Sequence, residues 1–68
     1  MKAIISRAVN DSFPEVGTTN RMIVSGLKTV AGVMRRAKQY AQGKAFRVEF
    51  FTDDNFYGEP YRVIVVPQ

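Results

Sequence analysis

The sequence contains no cysteine, no histidine and no tryptophan among its 68 residues. Without cysteine there is no disulfide framework and no thiol nucleophile, and without both cysteine and histidine the usual ligands of zinc are missing. The lack of histidine also removes the commonest general base in enzymes. The carboxylates that remain cluster in a predicted hairpin tip, where no apolar pocket would raise a pKa. We therefore expect no enzymatic activity, no metal site and no cofactor.

Long hydrophobic runs are also missing. The longest, residues 63–66, is far shorter than the roughly 20 residues that cross a bilayer. The first residues lack the apolar region of a signal peptide, so we expect a cytoplasmic protein with no membrane partner. The length of 68 residues predicts one domain, residues 1–68. A chain of this size buries only about 60% of its unfolded surface, and a homodimer is one way to complete such a core.

Turn-forming residues divide the chain into short segments whose patterns predict four strands and one helix. The strands are expected at residues 2–9, 21–24, 45–52 and 61–66, and the helix between the second and third strands. Ser25 is the predicted N-cap of the helix, and Gly43 is predicted to adopt the left-handed conformation after its end. Apolar residues at helical spacing form the predicted buried stripe: Leu27, Val30, Ala31, Met34, Ala37 and Ala41.

The expected fold is therefore α+β. It has one small antiparallel sheet of three or four strands, in the order β-β-α-β-β, with the helix packed on one face. Alternation in the third strand predicts that one set of side chains faces the helix (Phe46, Val48 and Phe50) and the other set points away (Arg47, Glu49 and Phe51).

Phe51 on the far face of the sheet is expected to be exposed and to form a second contact surface, joined by two aromatics of the hairpin tip, Phe56 and Tyr57. Burial in a dimer or against a partner and base stacking are alternative roles for Phe51. For Phe56 and Tyr57, packing over the edge of the sheet is the simpler alternative. Asp53, Asn55 and Gly58 imitate the start of a calcium-binding loop, but Ile64 stands where the bidentate glutamate is required, which excludes such a site.

Charge is distributed unevenly along the chain. The net charge is zero in residues 1–20, +7 in residues 21–47, where there is no acid, and −3 in residues 48–68. A basic region of this kind attracts anionic surfaces, although a merely solvated helix face is the simpler alternative.

A helical wheel places Arg36 almost opposite the predicted apolar stripe, with Lys28, Arg35 and Gln39 beside it. Tyr40 lies on the flank, either at the edge of the core or as a hydrophobic anchor for a partner. The candidate partner-binding residues are Lys28, Arg35, Arg36, Gln39, Tyr40, Lys44 and Arg47.

The layout of the chain resembles the small phage-encoded anti-defence proteins, in particular type I anti-CRISPRs. The likeness lies in an N-terminal Met-Lys-Ala strand, the Val24-Ser25-Gly26-Leu27 approach to a helix with Arg35-Arg36-Ala37-Lys38, and the strand Gly43-Lys44-Ala45-Phe46-Arg47-Val48-Glu49. It implies a stoichiometric inhibitor in the host cytoplasm whose basic face occupies a nucleic-acid-binding surface or the nucleic acid itself. Arg35 and Arg36, then Lys28 and Lys44, would inherit that role. The acidic, aromatic hairpin tip departs from the resemblance and leaves the target open.

Three functions follow as hypotheses. The first is a small inhibitor or adaptor that binds a protein or ribonucleoprotein with an acidic or nucleic-acid-binding surface. The second is a protein that binds nucleic acid directly, and the third is a structural homodimer.

Overall fold

The computed structural model describes residues 2–9, 13, 20–51 and 59–67. Within them the chain forms β1 (Lys2–Arg7), β2 (Arg21–Val24), α1 (Val30–Ala41), β3 (Phe46–Phe51) and β4 (Arg62–Val66). The strands form one sheet in the order β2-β1-β3-β4, and every neighbouring pair is antiparallel. Helix α1 packs across one face of the two central strands, β1 and β3. The predicted α+β architecture is confirmed, with four strands in the sheet.

The helix begins four residues later than the sequence predicts. Its N-cap is Thr29, whose Oγ1 accepts a hydrogen bond of 3.0 Å from the backbone N–H of Gly32. The prediction of Ser25 as N-cap is wrong, because Gly26 has a φ of +85° and this left-handed conformation interrupts a helix there. Leu27 consequently packs against the core from the loop and not from the helix, and Ala31 of the predicted stripe is exposed.

The end of the helix agrees with the prediction. Gln42 and Gly43 both have positive φ angles, 53° and 86°, and the N–H of Gln42 donates to the carbonyl of Lys38. Left-handed residues turn the chain away from the helix axis and satisfy carbonyls of the last turn. The chain can thus enter β3 only a few residues after α1 ends.

The hydrophobic core lies between α1 and the sheet. Ile5 of β1 and Val48 of β3 are opposite each other in the antiparallel register and are fully buried, as is Phe50 two pairs along. Val33 and Ala37 meet them from the helix. The predicted alternation of β3 is confirmed, because its buried helix-facing residues alternate with ones that point away.

The far face of the sheet is covered over its two central strands. Phe51 points away from α1 as predicted, but it is only 6% exposed, so the expectation of an exposed contact residue there is wrong. Ile4 and Ser6 of β1 are buried on the same face. The ring of Phe13, from the segment between β1 and β2, lies 5.1 Å from the guanidinium carbon of Arg47. The sheet therefore has side chains packed on both sides. The other two predicted contact residues, Phe56 and Tyr57, lie outside the described residues, as does the calcium-like sequence.

Candidate binding surface

Most of the predicted partner-binding residues lie along the outer side of α1. They share exposure to solvent, apart from one half-buried tyrosine, and we call them the basic helix surface: Lys28, Arg35, Arg36, Gln39, Tyr40 and Lys44. Lys28 directly precedes the N-cap, and Lys44 follows the last helical residue by three positions. A 12-residue helix is about 18 Å long, so the surface extends over the whole length of α1.

The arginines of the helix differ in orientation from the prediction. The buried residues Val33, Ala37 and Ala41 define the inward direction of α1. At about 100° per residue, Arg35 and not Arg36 lies opposite this stripe. The prediction misplaced Arg36 because its stripe included Ala31, which is exposed, and omitted Val33, which is buried, and this rotated the apparent centre of the stripe.

Arg36 instead borders the groove between α1 and β2. Two adjoining hollows lie there, with volumes of about 290 Å³ and about 360 Å³. Arg36 and Met22 line both. The first hollow is also bordered by Leu27, and the second by Gln39 and Tyr40. The groove thus combines apolar side chains with a guanidinium and an amide at its border.

Arg7 is a residue of this groove that the sequence analysis missed. It is the last residue of β1 and lies opposite Phe46, on the helix side of the sheet. Its guanidinium carbon is 5.0 Å from the centre of the Tyr40 ring. Its nitrogens donate to the backbone carbonyl of Tyr40 at 3.3 Å and to Oδ1 of Asn20 at 3.0 Å. The alternation of residues 3, 5 and 7 along the first strand was the signal that places Arg7 under the helix.

Arg47 does not join the basic helix surface. It lies on the far face of the sheet, where its Nε is 3.5 Å from Oε1 of Glu49. Arg21 is 3.4 Å from the same carboxylate oxygen. The Arg47 side chain is thus held between Glu49 and the ring of Phe13, and it serves the packing of the far face.

The basic helix surface keeps its positive charge. Neither hollow of the groove is lined by an acidic side chain within the described residues. Glu49 is turned to the other face and is compensated there by Arg21 and Arg47. Exposed cations without neighbouring acids produce a positive potential that acts on approaching anions over about one Debye length, roughly 8 Å at physiological salt.

Comparison with family models, with curated protein sequences and with solved structures finds no match to this chain. The one helix among the described residues is too short and too polar to cross a membrane. In the same part of the chain, no three acidic side chains come together in an arrangement suited to a metal ion.

Proposed function

We propose that this protein is a small non-enzymatic binding protein, an inhibitor of the phage type, that occupies the surface of a protein or ribonucleoprotein through its basic helix surface. The observation that carries the proposal is the acid-free array of exposed cations along α1, bordered by the groove between α1 and β2. Such an array complements an acidic surface or one that normally holds nucleic acid. The target needs no catalytic group from this chain, because occupation of the surface is sufficient to inhibit it.

The composition of the groove favours a protein surface as the immediate partner. Arginine and tyrosine are enriched at the residues that dominate binding energy in protein interfaces, and methionine adapts to irregular partners. Arg36, Tyr40 and Met22 provide these three side chains within one hollow. Tyr40 is held by the stacked Arg7, so the conformational entropy lost when a partner binds is reduced.

Affinity capture from host lysate, with and without nuclease, identifies the partner and tests the proposal. A protein that remains bound after nuclease treatment is the expected result. The purified pair then allows a charge-reversal experiment with Arg35→Glu and Arg36→Glu combined. We expect at least about a 100-fold loss of affinity, since two central contacts of about 1.4 kcal/mol or more each are reversed.

Lys38→Glu provides a matched control. Lys38 is exposed on the same helix but on the flank away from Arg36, where the groove does not extend. The reversal changes charge by the same amount per site, so we expect less than about a fivefold effect from it. Equal losses for Lys38→Glu and for Arg36→Glu alone would show that net charge, and not this surface, determines binding.

Direct binding of nucleic acid is the second candidate, favoured by the four exposed cations of the surface, Lys28, Arg35, Arg36 and Lys44. If all four neutralise phosphates of a duplex, log K should fall with log salt with a slope of about −3.6. Titration of a labelled duplex and a labelled single strand at several salt concentrations measures this slope. Absence of binding, or an affinity that does not change with salt, would exclude direct binding of nucleic acid and leave a protein as the partner.

A further inference from the structure

Strand β4 has the sequence of a central strand but lies at the edge of the sheet. Among the described residues it pairs only with β3. Four of its five residues, RVIVV, are branched and apolar, which is typical of strands enclosed between two neighbours. Natural edge strands are usually protected by charged residues, proline or a bulge. In β4 the single charge is Arg62 at the start, and Pro67 comes only after the end. Within the part of the chain that the structure describes, this edge has none of these protections along its length.

Strand β4 carries two exposed apolar side chains on the far face of the sheet. Val63 and Val65 lie opposite Glu49 and Arg47 of β3, point to that face, and are 48% and 55% exposed. Ile4 and Phe51, on the central strands of the same face, are buried. Along the β4 edge the far face thus presents two neighbouring exposed valines, beside backbone groups that pair with no other strand among the described residues.

The opposite edge, β2, presents one exposed apolar side chain on the same face instead of two. It has only four residues, and it begins with Arg21, whose guanidinium pairs with Glu49. A shorter strand offers fewer backbone groups for the addition of another strand. The exposed apolar residue of β2 is Ile23, at 64%, and it offers a matched position for a control.

We propose that β4 pairs antiparallel with β4 of a second copy of this chain. The N–H and C=O groups along an edge can pair with those of another strand, so this edge fits an extended chain. A register centred on Ile64 pairs all five residues of both strands. It sets Val63 opposite Val65 of the second copy, and Arg62 opposite Val66 of the second copy. Each exposed valine of one copy thus meets an exposed valine of the other on the same face.

Charge is compatible with this pairing. In the register centred on Ile64 the two Arg62 side chains are four residues apart along the strands, about 14 Å at 3.4 Å per residue. This separation exceeds the Debye length at physiological salt, so their repulsion is largely screened. The other cations of each copy lie outside β4, many of them on the basic helix surface. The strand can therefore meet its own copy without close contact between like charges, although the chain carries a net charge of +4.

The pairing joins two sheets into one of eight strands. Directly opposed residues of antiparallel strands point to the same face, so the two α1 helices lie on the same side of the joined sheet. The contact is limited to a five-residue strand, which is small compared with permanent dimer interfaces. We expect a dissociation constant in the micromolar range.

Sedimentation equilibrium between about 1 μM and about 1 mM tests the dimer, a range chosen for an interface of this size. The unaltered protein should change from monomer to dimer over this range. Val63→Lys with Val65→Lys should remain monomeric, and Ile23→Lys on the other edge should dimerise as the unaltered protein does. A monomer at every concentration, as expected if the edge takes a strand of another protein, would overturn the proposal. So would equal disruption by Ile23→Lys. Circular dichroism checks that each variant is folded.

Cross-linking tests the register without depending on the lysine variants. Because the sequence has no cysteine, introduced thiols can react only with each other. A mixture of Val63→Cys and Val65→Cys proteins should form disulfide-linked dimers at least about 10 times faster than either protein alone, since directly opposed Cβ atoms are close and diagonal ones are not. Equal rates would refute this register. Both experiments use the protein by itself, so their outcome does not depend on the proposed function.

Discussion

Individual side chains determine how polar groups are accommodated around this small core. Arg7 ends β1 on the helix side, and its guanidinium connects the last turn of α1, through Tyr40, with Asn20 directly before β2. A guanidinium can do this because its planar fork stacks on a ring and donates several hydrogen bonds at once. Ser6, the neighbouring residue on the opposite face, has no such arrangement. Its Oγ is buried and has no hydrogen-bond partner among the described residues.

We predict that Ser6→Ala stabilises the protein by about 1 kcal/mol. A buried hydroxyl without a partner costs about 1–3 kcal/mol of desolvation, and alanine removes that group at the cost of little volume. The free energy of unfolding from urea titration measures the effect. Ser25→Ala is the control, because Ser25 is exposed and should give a change below about 0.5 kcal/mol. A loss of stability in Ser6→Ala would mean that the hydroxyl makes a favourable hydrogen bond.

At the scale of elements, the strands could be predicted from the sequence and the start of the helix could not. Alternation in β3 and β-branched runs in β1 and β4 are local signals, and turn residues bound each of them. The approach to α1 offers two hydroxyl residues, Ser25 and Thr29, each followed by residues of acceptable helix propensity. Gly26 is compatible with a first helical turn in sequence, but its left-handed backbone excludes one. That choice depends on how β2 connects to the helix, which is a tertiary property.

The burial of Phe51 escaped prediction for a related reason. Alternation identifies the face to which a side chain points, and for Phe51 it did so correctly. Whether that face is covered depends on residues distant in sequence, and Phe13 from the segment between β1 and β2 lies over the same face. Prediction of the candidate binding surface was limited in the same way. Exposed cations on α1 were found from the helical period, while Arg7 required knowledge of which strand lies beneath the helix.

We predict that Thr29→Ala lowers the free energy of unfolding by about 1 kcal/mol, because the cap accepts a hydrogen bond from an N–H that is otherwise unpaired in the first turn. Thr29→Ser retains the hydroxyl and should lose less than about half of that amount. Urea titration followed by circular dichroism measures both. If Ser25→Ala were instead the more costly substitution, the helix would begin at Ser25 and the position of the cap would be wrong.

At the scale of the whole molecule, two surfaces of different chemistry lie apart from each other. The basic helix surface is polar and positive, whereas the β4 edge is apolar with a single charge. Under the two proposals made above, one copy binds its target through α1 and a second copy through β4. The joined sheet would then display two basic helix surfaces on one side. A target with two acidic or nucleic-acid-binding sites would be bound more tightly than either contact alone allows, through an increased effective concentration.

Both surfaces depend on one core, so loss of that core should abolish both. Stability of about 0.05–0.15 kcal/mol per residue corresponds to roughly 3–10 kcal/mol for 68 residues. Phe50 is fully buried between α1 and the sheet, and its truncation to alanine typically costs about 3–5 kcal/mol. Phe50→Ala should therefore unfold much of the population at 37 °C, and helix and sheet signals should be lost together in thermal scans. Ile23→Ala removes an exposed side chain of the same sheet and should change stability by less than about 0.5 kcal/mol. A helix that melts separately from the sheet would show that α1 is not held by this core.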